Sequence, residues 1–208
     1  MPSRFPLKAL TWTDWSNSEM IKVNEIFYSL QGEGFYTGTP AVFLRLSGCN
    51  LACSFCDTQH QDGVSMTDED IVKEVRKYPA RHIVITGGEP TLQLTASLTQ
   101  ALKRAGFFIQ IETNGSIALP EGCEIDWITC SPKTKPIRIQ RIDELKVLYP
   151  RQDMESCEGI VAKEYRLQPI DCGDAETNRE NVKETISYIL NNPKWHLSLQ
   201  THKILNVR

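Results

Sequence analysis

The sequence predicts an α/β fold, an incomplete TIM-type barrel of about six parallel strands with outer helices. Short apolar runs alternate with amphipathic stretches along the chain, which is typical of a mainly parallel sheet covered by helices. A complete eight-unit barrel takes about 250 residues, or roughly 31 for each strand and helix. Residues 21–208, 188 in all, can supply six such units, so an open barrel is favoured over a closed barrel and over a doubly wound sheet.

Seven short apolar segments are the candidate strands, and amphipathic helices are predicted between them. Thr67 and Asp70 form a capping-box pattern at the start of the first helix, because a hydroxyl and a carboxylate three residues apart can satisfy free amide donors there. Ile71, Val72 and Val75 then share one face of that helix. The candidate strands are residues 41–46, 82–86, 107–112, 125–130, 144–148, 164–168 and 196–200.

Two further helices are predicted from their apolar spacing. The second covers residues 91–105 and ends at Gly106, which can adopt the left-handed conformation. The third covers about 176–191, with Pro193 just beyond its end. The residues predicted to face inward on the third helix are Val182, Ile186, Ile189 and Leu190.

The composition predicts one domain, residues 21–208, after a leader, residues 1–20, that has no clear periodicity. The chain has 208 residues and is 40% hydrophobic, which suits a single core. The formal charge is −3, from 23 basic and 26 acidic residues without a long block of one sign, so no nucleic-acid surface and no polybasic membrane patch is predicted. No apolar stretch has the length of a signal peptide or a membrane span, so we expect a cytoplasmic protein with a small-molecule partner.

Three of the seven cysteines, Cys49, Cys53 and Cys56, form a C-x3-C-x2-C run. An odd number of cysteines in a chain without a secretion signal argues against a disulfide framework. A structural zinc ion needs four ligands, and His60 could be the fourth, so a closed Cys3His site is one alternative. A 4Fe-4S cluster has four irons, so three thiolates leave one iron open to a ligand that is not protein. Such an iron can chelate the amino and carboxylate groups of S-adenosylmethionine (SAM), and the spacing favours the cluster over zinc.

Polar motifs follow the candidate strands at the point where each strand ends. The carboxyl ends of parallel strands share one rim of a barrel, where the active sites of such folds gather. These segments are therefore predicted to meet in one site. They are the cysteine loop, TGGEP at 86–90, ETNG at 112–115, SPK at 131–133, QPID at 168–171 and QTHK at 200–203.

The loop CNLACSFC, with an aromatic residue before its last cysteine, and the glycine pair after the next strand together resemble the radical SAM superfamily. The resemblance implies that Cys49, Cys53 and Cys56 are the catalytic residues that bind a 4Fe-4S cluster. It implies that an electron from the cluster cleaves SAM to a 5'-deoxyadenosyl radical, while the protein positions the reacting atoms. It also implies that the turn at residues 87–89 binds the methionyl amino group through backbone and carboxylate acceptors.

Longer segments resemble the 7-carboxy-7-deazaguanine synthase family more specifically. For that family the resemblance implies ring contraction of 6-carboxy-5,6,7,8-tetrahydropterin to 7-carboxy-7-deazaguanine with loss of ammonia, in queuosine and 7-deazapurine biosynthesis. The resemblance also implies that SAM is regenerated and acts as a true cofactor. Magnesium is implied at the Thr58 hydroxyl and the substrate carboxylate, since a hard cation prefers oxygen ligands. The matching segments are NEIFYSLQGEGFYTGTPAVFLRLSGCNLACSFCDTQH, HIVITGGEP, QIETNG, SPK, LQPID and SLQTHKILNV.

The family pattern assigns residues of this sequence to two ligands. Substrate contacts are implied for Leu30, Gln31, Gly32, Arg45, Thr86 and His202. SAM contacts are implied for Phe55, Cys56, Asp57, Gly87, Gly88, Glu89, Ser131, Pro132, Lys133, Gln168, Pro169, Ile170 and Asp171.

Arg45 is the most informative of these residues because it interrupts an otherwise apolar strand. A buried guanidinium group is costly unless it is paired. A carboxylated substrate could pair with it through two parallel hydrogen bonds. An ordinary internal ion pair is the alternative.

Two other functions share parts of this pattern. A radical SAM activase of a protein substrate could use the same cysteine loop, but it has no need of LQGEG and QTHK. A Cys3His zinc-stabilised binding module is the other alternative, and the acidic balance disfavours it if the ligand is a nucleic acid. The family resemblance also implies a flavodoxin or ferredoxin as electron donor, and a homodimer.

Overall fold

The computed structural model describes residues 20–56, 58–150 and 154–208, whose strands form one nine-stranded sheet. The strands are β1 Ile21–Leu30, β2 Pro40–Leu46, β3 Val64–Met66, β4 His82–Gly87, β5 Phe108–Thr113, β6 Trp127–Cys130, β7 Glu144–Tyr149, β8 Glu164–Pro169 and β9 His196–Leu197. The helices are α1 Asp68–Val75, α2 Ala96–Arg104, α3 Ala175–Asn191 and α4 Thr201–Leu205, with 3-10 helices at Pro90–Leu92 and Met154–Cys157. Of the predicted leader, only Met20 lies within the described residues.

The strand order is β3-β1-β2-β4-β5-β6-β7-β8-β9, so the sheet is open, with β3 and β9 at its edges. Neighbouring strands from β2 to β9 are parallel, whereas β1 and β3 pair in antiparallel fashion. Six of the parallel strands have at least four residues and β9 has two, which confirms the partial barrel of about six parallel strands. Neither β1 nor β3 is among the predicted strands, because β1 is interrupted by a bulge and β3 has only three residues.

Local signals at the helix ends are confirmed. Thr67 and Asp70 form a reciprocal capping box at the start of α1. Gly106 follows α2 with a φ of 86°, in the left-handed region. Helix α2 begins at Ala96, later than predicted, because a 3-10 helix precedes it and the Thr95 side chain caps its first turn.

The predicted inward face of α3 is partly wrong. Ile186 and Leu190 are 41% and 78% exposed, whereas Asn181 and Thr185 are buried. Asn181 is buried because its Nδ2 atom donates a hydrogen bond of 2.9 Å to the carbonyl of Ile170, at the end of β8. Polar contact with the end of that strand, and not apolar spacing alone, therefore sets the orientation of the helix.

The two faces of the sheet differ in polarity, because successive strand residues point to opposite sides. The outer face packs under the helices and loops as the main hydrophobic core. The inner face carries polar and charged side chains beside a small apolar cluster of Phe27, Ala41, Phe43 and Val84. The outer residues include Val42, Leu44, Ile83, Ile85, Ile109, Ile111, Ile128, Leu145, Val147 and Leu167. Alternating with them on the inner face are Arg45, Thr86, Gln110, Glu112, Thr129, Glu144, Lys146 and Gln168.

Loops replace helices over part of the outer face. The connections from β5 to β6 and from β6 to β7 contain no helix. Apolar side chains of these loops cover the core instead, including Leu119, Ile125, Ile137, Ile139 and Ile142. None of the described helices is long and apolar enough to cross a membrane.

The β1–β2 loop, residues 31–39, connects the first strands with the carboxyl-terminal segment. The Gly32 carbonyl accepts a hydrogen bond of 2.9 Å from the Thr201 amide. The Gly34 amide donates one of 2.9 Å to the Ser198 hydroxyl. The LQGEG and QTHK motifs, far apart in sequence, therefore meet on the inner side of the half-barrel.

Candidate active site

Two adjoining cavities lie on the inner side of the sheet, at the carboxyl ends of the parallel strands. Cavity 1 has a volume of about 430 Å³, and each of the six polar motifs predicted to share a rim contributes to its wall. Cavity 2 has a volume of about 400 Å³. The two share Glu33, Gly87, Gln200 and Lys203 as wall residues.

The glycine turn after β4 lies directly against the cysteine loop. The Glu89 amide donates a hydrogen bond of 2.9 Å to the Gly48 carbonyl, and the Gly88 amide donates one of 3.3 Å to the Leu46 carbonyl. A Cβ atom at Gly88 would overlap the Gly48 carbonyl oxygen and would lie 2.8 Å from the Cβ of Cys49. Position 88 therefore requires glycine, because the backbone of the turn approaches the loop that carries the first cysteine.

The three motif cysteines all line cavity 1. Burial raises the pKa of the Cys53 thiol and the neighbouring Cys49 and Cys56 thiols raise it further, whereas Lys133 lowers it. A cationic group shared by the three thiols would favour the thiolate form of Cys53 over the neutral form that burial favours. Their grouping fits the donor set of an iron-sulfur cluster, which thiolates bind.

The position of His60 among the described residues does not favour the alternative Cys3His zinc site. His60 does not line cavity 1, and its Nδ1 atom is buried without a hydrogen-bond partner among the described residues. Among all described residues, the three motif cysteines included, no group of three or more His, Cys, Asp and Glu side chains is arranged to hold a single metal ion. Asp57, a predicted SAM contact, lies outside the described residues.

Glu89 lines neither cavity, and the predicted contact of its carboxylate with SAM stays a prediction. It is 1% exposed. Its Oε1 accepts hydrogen bonds from the Thr91 amide (3.1 Å), the Thr91 hydroxyl (2.6 Å) and the Thr113 hydroxyl (2.7 Å), and its Oε2 accepts one from the Asn114 amide (2.7 Å). These four donors compensate the cost of burying the carboxylate. The bonds from Thr113 and Asn114 also connect the glycine turn to the end of β5.

Asn114 extends this network to the cysteine loop. Its Nδ2 donates a hydrogen bond of 3.1 Å to the Asn50 side-chain oxygen, and Asn50 donates one of 2.9 Å to the Ser116 hydroxyl. Asn50 directly follows Cys49 in the sequence. The ETNG motif, which the sequence places only at the rim, therefore braces the loop that carries the cysteines.

Lys133 and Phe55 form one side of cavity 1. The Lys133 ammonium lies 5.6 Å from the centroid of the Phe55 ring and donates a hydrogen bond of 2.9 Å to the Ser131 hydroxyl. Burial lowers the pKa of Lys133 to about 8, and the charge of Lys146 adds to this effect. Pro132, a predicted SAM contact, is buried and lines neither cavity.

The segment at the end of β8, residues 168–171, forms another side of cavity 1. Gln168 is held by the Ser198 hydroxyl, which donates a hydrogen bond of 2.8 Å to its side-chain oxygen. The hydrogen bond from Lys203 is the largest of several that lower the pKa of Asp171 to about 2. Asp171 therefore carries a full negative charge at neutral pH.

Cavity 2 brings together every residue that the family pattern assigns to the substrate. A Cβ atom at Gly32 would overlap the ring of His202, so glycine at 32 allows this ring to pack on the loop backbone. Thr58, the predicted magnesium ligand, also lines this cavity. The six assigned substrate residues in its wall are Leu30, Gln31, Gly32, Arg45, Thr86 and His202.

Charged groups of both signs line cavity 2. The carboxylate of Glu112 accepts hydrogen bonds from Gln31 Nε2 (3.0 Å) and from the Thr86 hydroxyl (3.2 Å). Arg45 Nε pairs with Glu25 at 2.8 Å, so the internal ion pair considered as the alternative is present. Glu112 belongs to the ETNG motif that the sequence predicts at the rim, but sequence reasoning assigns it no ligand.

The sequence is similar to one superfamily and to named synthases within it. It matches the radical SAM superfamily over residues 44–150. The 7-carboxy-7-deazaguanine synthase of Bacteroides thetaiotaomicron is 52% identical over 190 residues, which cover 91% of this chain and 100% of that protein. The corresponding synthase of Flavobacterium psychrophilum is 36% identical, over 91% of this chain and 93% of that protein.

Solved structures agree with this similarity. The crystal structure of QueE from Escherichia coli matches with a TM-score of 0.69 and 29% identity, over 86% of this chain and 93% of that chain. SuiB of Streptococcus suis bound to S-adenosylmethionine matches with a TM-score of 0.51 and 15% identity, over 73% of this chain and 48% of that chain, which shows the fold alone. The chain belongs to the radical SAM superfamily and, within it, to the 7-carboxy-7-deazaguanine synthase family.

Proposed function

We propose that the protein is a radical SAM lyase that converts 6-carboxy-5,6,7,8-tetrahydropterin to 7-carboxy-7-deazaguanine with loss of ammonia, in queuosine or other 7-deazapurine biosynthesis. The identity of 52% to a named synthase over its whole length supports this activity. The observation that carries the proposal is the pair of adjoining cavities. The three motif cysteines line one of them, and all six residues assigned to the substrate line the other.

Cavity 1 is proposed to hold the cluster and SAM. A 4Fe-4S cluster, when bound, supplies the electron for reductive cleavage of SAM. Cys49, Cys53 and Cys56 would be its protein ligands. Gly88 brings a backbone turn close to that loop, where backbone acceptors can reach the methionyl group. The Lys133 and Phe55 side offers a cation and an aromatic face to the rest of SAM.

Cavity 2 is proposed to hold the pterin. A carboxylated pterin has N–H donors on its aminopyrimidine ring and a carboxylate on its other ring, so it needs an acidic and a basic partner. Glu112 supplies the acceptor. Arg45 supplies the donor, since Glu25 engages its Nε atom and leaves the terminal nitrogens for a substrate carboxylate. His202, packed on Gly32, closes the same cavity.

Magnesium is proposed at Thr58. The Thr58 side chain lines cavity 2 together with Arg45, on the side proposed for the substrate carboxylate. A hydroxyl and a carboxylate are the oxygen ligands that magnesium accepts, with water filling the other positions. Dependence of turnover on added Mg²⁺ in chelator-treated protein, reduced in Thr58→Val, tests this site.

Other parts of the proposal rest on family resemblance. They are a flavodoxin or ferredoxin as electron donor, a homodimer and a cytoplasmic location. The single domain at residues 21–208 is supported by the one sheet that runs from Ile21 to Leu197. Sedimentation analysis of the cluster-loaded protein tests the dimer, and turnover with purified flavodoxin or ferredoxin tests the donor.

The decisive experiment is a reaction with defined components. Anaerobically reconstituted protein is incubated with the carboxylated pterin, SAM, Mg²⁺ and a reductant, and the product is identified by mass spectrometry. We expect 7-carboxy-7-deazaguanine from wild type and from Cys123→Ala, whose thiol lines neither cavity, but not from Cys53→Ala. An intact cluster that binds SAM yet forms no product would reject the proposed function.

A further inference from the structure

Two buried side chains of opposite charge stand where the two cavities meet, and the function proposed above gives them no role. Glu33 of the β1–β2 loop lines both cavities, and Lys146 of β7 lines cavity 1. The Lys146 ammonium donates a hydrogen bond to Glu33 Oε2, and Gln200 Nε2 donates one of 2.9 Å to Glu33 Oε1. The side chains of Lys146 and Glu33 are only 8% and 17% exposed.

Stability alone does not account for this pair. Charges taken out of water cost desolvation energy, so a buried ion pair is often no more stabilising than apolar residues of similar volume. The packing of β7 is supplied by Leu145 and Val147, which lie fully buried on the outer face. Lys146 points to the other side, where the chain could have carried an apolar residue at no loss of core.

Both groups remain ionised around neutral pH. Burial favours the neutral form of Glu33, but Lys146 and the hydrogen bonds from Lys146 and Gln200 outweigh it and lower the pKa of Glu33 to about 2. Burial likewise opposes the charge on Lys146, but the carboxylates of Glu33 and Glu112 raise its pKa. Because neither group gains or loses a proton near neutral pH, the pair does not serve as a general acid or base. It presents a fixed positive and a fixed negative charge to the two cavities.

Only a side chain that lines both cavities could contact both ligands, and four residues line both. Of these four residues, Gly87 has no side chain, and Lys203 is 38% exposed and paired with Asp171 at 2.8 Å. Glu33 and Gln200 are therefore the shared side chains that are held inside the protein, and Lys146 fixes the carboxylate of Glu33.

We propose that Glu33 and Lys146 are positioning residues, an ion pair that sets the distance and orientation between SAM in cavity 1 and the pterin in cavity 2. The inference rests on the function proposed above, and it adds residues to which the family pattern assigns no role. Transfer of a hydrogen atom between two bound ligands depends on their relative placement, and a displacement of about 1 Å can cost about a hundredfold in rate. A loosened pair would therefore let SAM be cleaved without attack on the pterin.

The test uses the double variant Glu33→Gln with Lys146→Met in the full-length, cluster-loaded protein. Changing both residues removes the charges without leaving either one buried and unpaired, which would destabilise the fold. The matched control is Lys103→Met with Asp126→Asn, which removes an ion pair of 2.8 Å whose side chains are 31% and 27% exposed. Neither residue of the control pair lines cavity 1 or cavity 2.

The first measurement is the amount of 5'-deoxyadenosine released per 7-carboxy-7-deazaguanine formed. We expect this ratio to rise about tenfold or more in the double variant and to stay at the wild-type value in the control. A structural role would change folding or iron content but would leave the ratio unchanged in molecules that hold a cluster. A wild-type ratio in a folded, cluster-loaded double variant would overturn the inference.

The second measurement is made without turnover, on the oxidised cluster-loaded protein. Calorimetry gives the factor by which saturating SAM changes the affinity for the pterin. An ordered ion pair between the two cavities couples the binding of SAM to the binding of the pterin. We therefore expect a factor of about five or more in wild type and of less than about two in the double variant. Equal coupling in the two proteins would contradict the inference even if no product is made.

These measurements separate the two proposals. Wild-type protein that forms no 7-carboxy-7-deazaguanine rejects the proposed function. The coupling factor alone then tests whether the Glu33–Lys146 pair positions the two ligands. If the double variant fails to fold or to bind a cluster, Gln200→Leu replaces it, because this change removes the second donor to Glu33 and leaves both charges of the pair in place. The ratio should then rise about threefold or more, and an unchanged ratio would overturn the inference.

Discussion

Neighbouring residues on one strand serve different purposes on the two faces of the sheet. On β4, Ile85 is fully buried in the outer core, and Thr86 beside it lines cavity 2. On β7, Leu145 belongs to the outer core and Lys146 lines cavity 1. Because side chains alternate along a strand, one strand can carry packing and ligand contacts at the same time. The comparison teaches that stability and chemistry can be disrupted separately, by changes one residue apart.

The largest effect on stability is expected from Ile85→Ala on β4. Removing this fully buried side chain leaves a cavity in the outer core and should lower the free energy of unfolding by about 2–5 kcal/mol. Thr86→Val, one residue on, loses a single hydrogen bond of 3.2 Å to Glu112 and should cost about 1 kcal/mol. Urea unfolding and pterin binding distinguish the two. We expect Thr86→Val to lower the free energy of pterin binding more than the free energy of unfolding. A larger loss in the free energy of unfolding would contradict the separation of the two faces.

The next largest effect is a loss of turnover from a change at Gly88, in the glycine turn after β4. In Gly88→Ala the new methyl group would overlap the Gly48 carbonyl, so the cysteine loop must move away from the glycine turn. We expect a loss of turnover of about a hundredfold, together with reduced iron content or SAM affinity. Gly159→Ala is the control for backbone strain without overlap, since its φ is 77° but a Cβ there meets nothing within 4 Å. Unchanged iron content, SAM binding and turnover in Gly88→Ala would show that the close approach is unimportant.

A smaller effect separates cavity 2 from cavity 1. Gly32→Ala would displace the His202 ring, because the two occupy the same space. We expect the affinity for the pterin to fall about tenfold, which corresponds to about 1.4 kcal/mol, while SAM affinity and iron content stay at wild-type values. Calorimetry with each ligand separately measures both. An equal loss for SAM would mean that this loop position supports the whole rim and not one cavity.

The smallest effect expected is a pH dependence from Lys133. Burial lowers its pKa to about 8, so its positive charge disappears as the pH rises from 7 to 9. SAM carries a carboxylate, and its affinity should fall about threefold more over this range in wild type than in Lys133→Met, which lacks the Lys133 charge at every pH. Between pH 8 and 10.5 folded Lys133 binds fewer protons than the unfolded chain, so its contribution to stability rises with pH. Parallel pH profiles for wild type and variant would contradict this role.

The sequence predicts the fold well because the relevant signals are local. Apolar runs with polar flanks mark the seven parallel strands, and Thr67 with Asp70 marks the start of α1. The face of α3 could not be predicted in the same way. Apolar spacing favours Ile186 and Leu190 as inward residues, whereas a hydrogen bond from Asn181 to the end of β8 turns them to the outside.

The candidate site is predictable only where its residues form motifs. Cysteine spacing and a glycine pair are local features of the sequence, and they indicate the cluster loop and its neighbouring turn directly. Glu33 and Lys146 lie 113 residues apart, and Glu112 and Gln31 lie 81 apart, so their contacts depend on how the half-barrel closes. The hydrogen bonds that Glu89 accepts from Thr113 and Asn114, 24 and 25 residues away, likewise depend on the fold, and its contact with SAM stays a prediction.

The central claim is that Cys49, Cys53 and Cys56 leave one iron of a cluster open for SAM. Electron paramagnetic resonance of the reduced, anaerobically reconstituted protein tests it most directly, with and without SAM and with the bound metal quantified. We predict the signal of a reduced 4Fe-4S cluster whose g-values shift when SAM is added, and loss of this signal in Cys53→Ala but not in Cys123→Ala. A spectrum that SAM leaves unchanged at saturation, or one stoichiometric zinc ion in place of iron, would contradict the account.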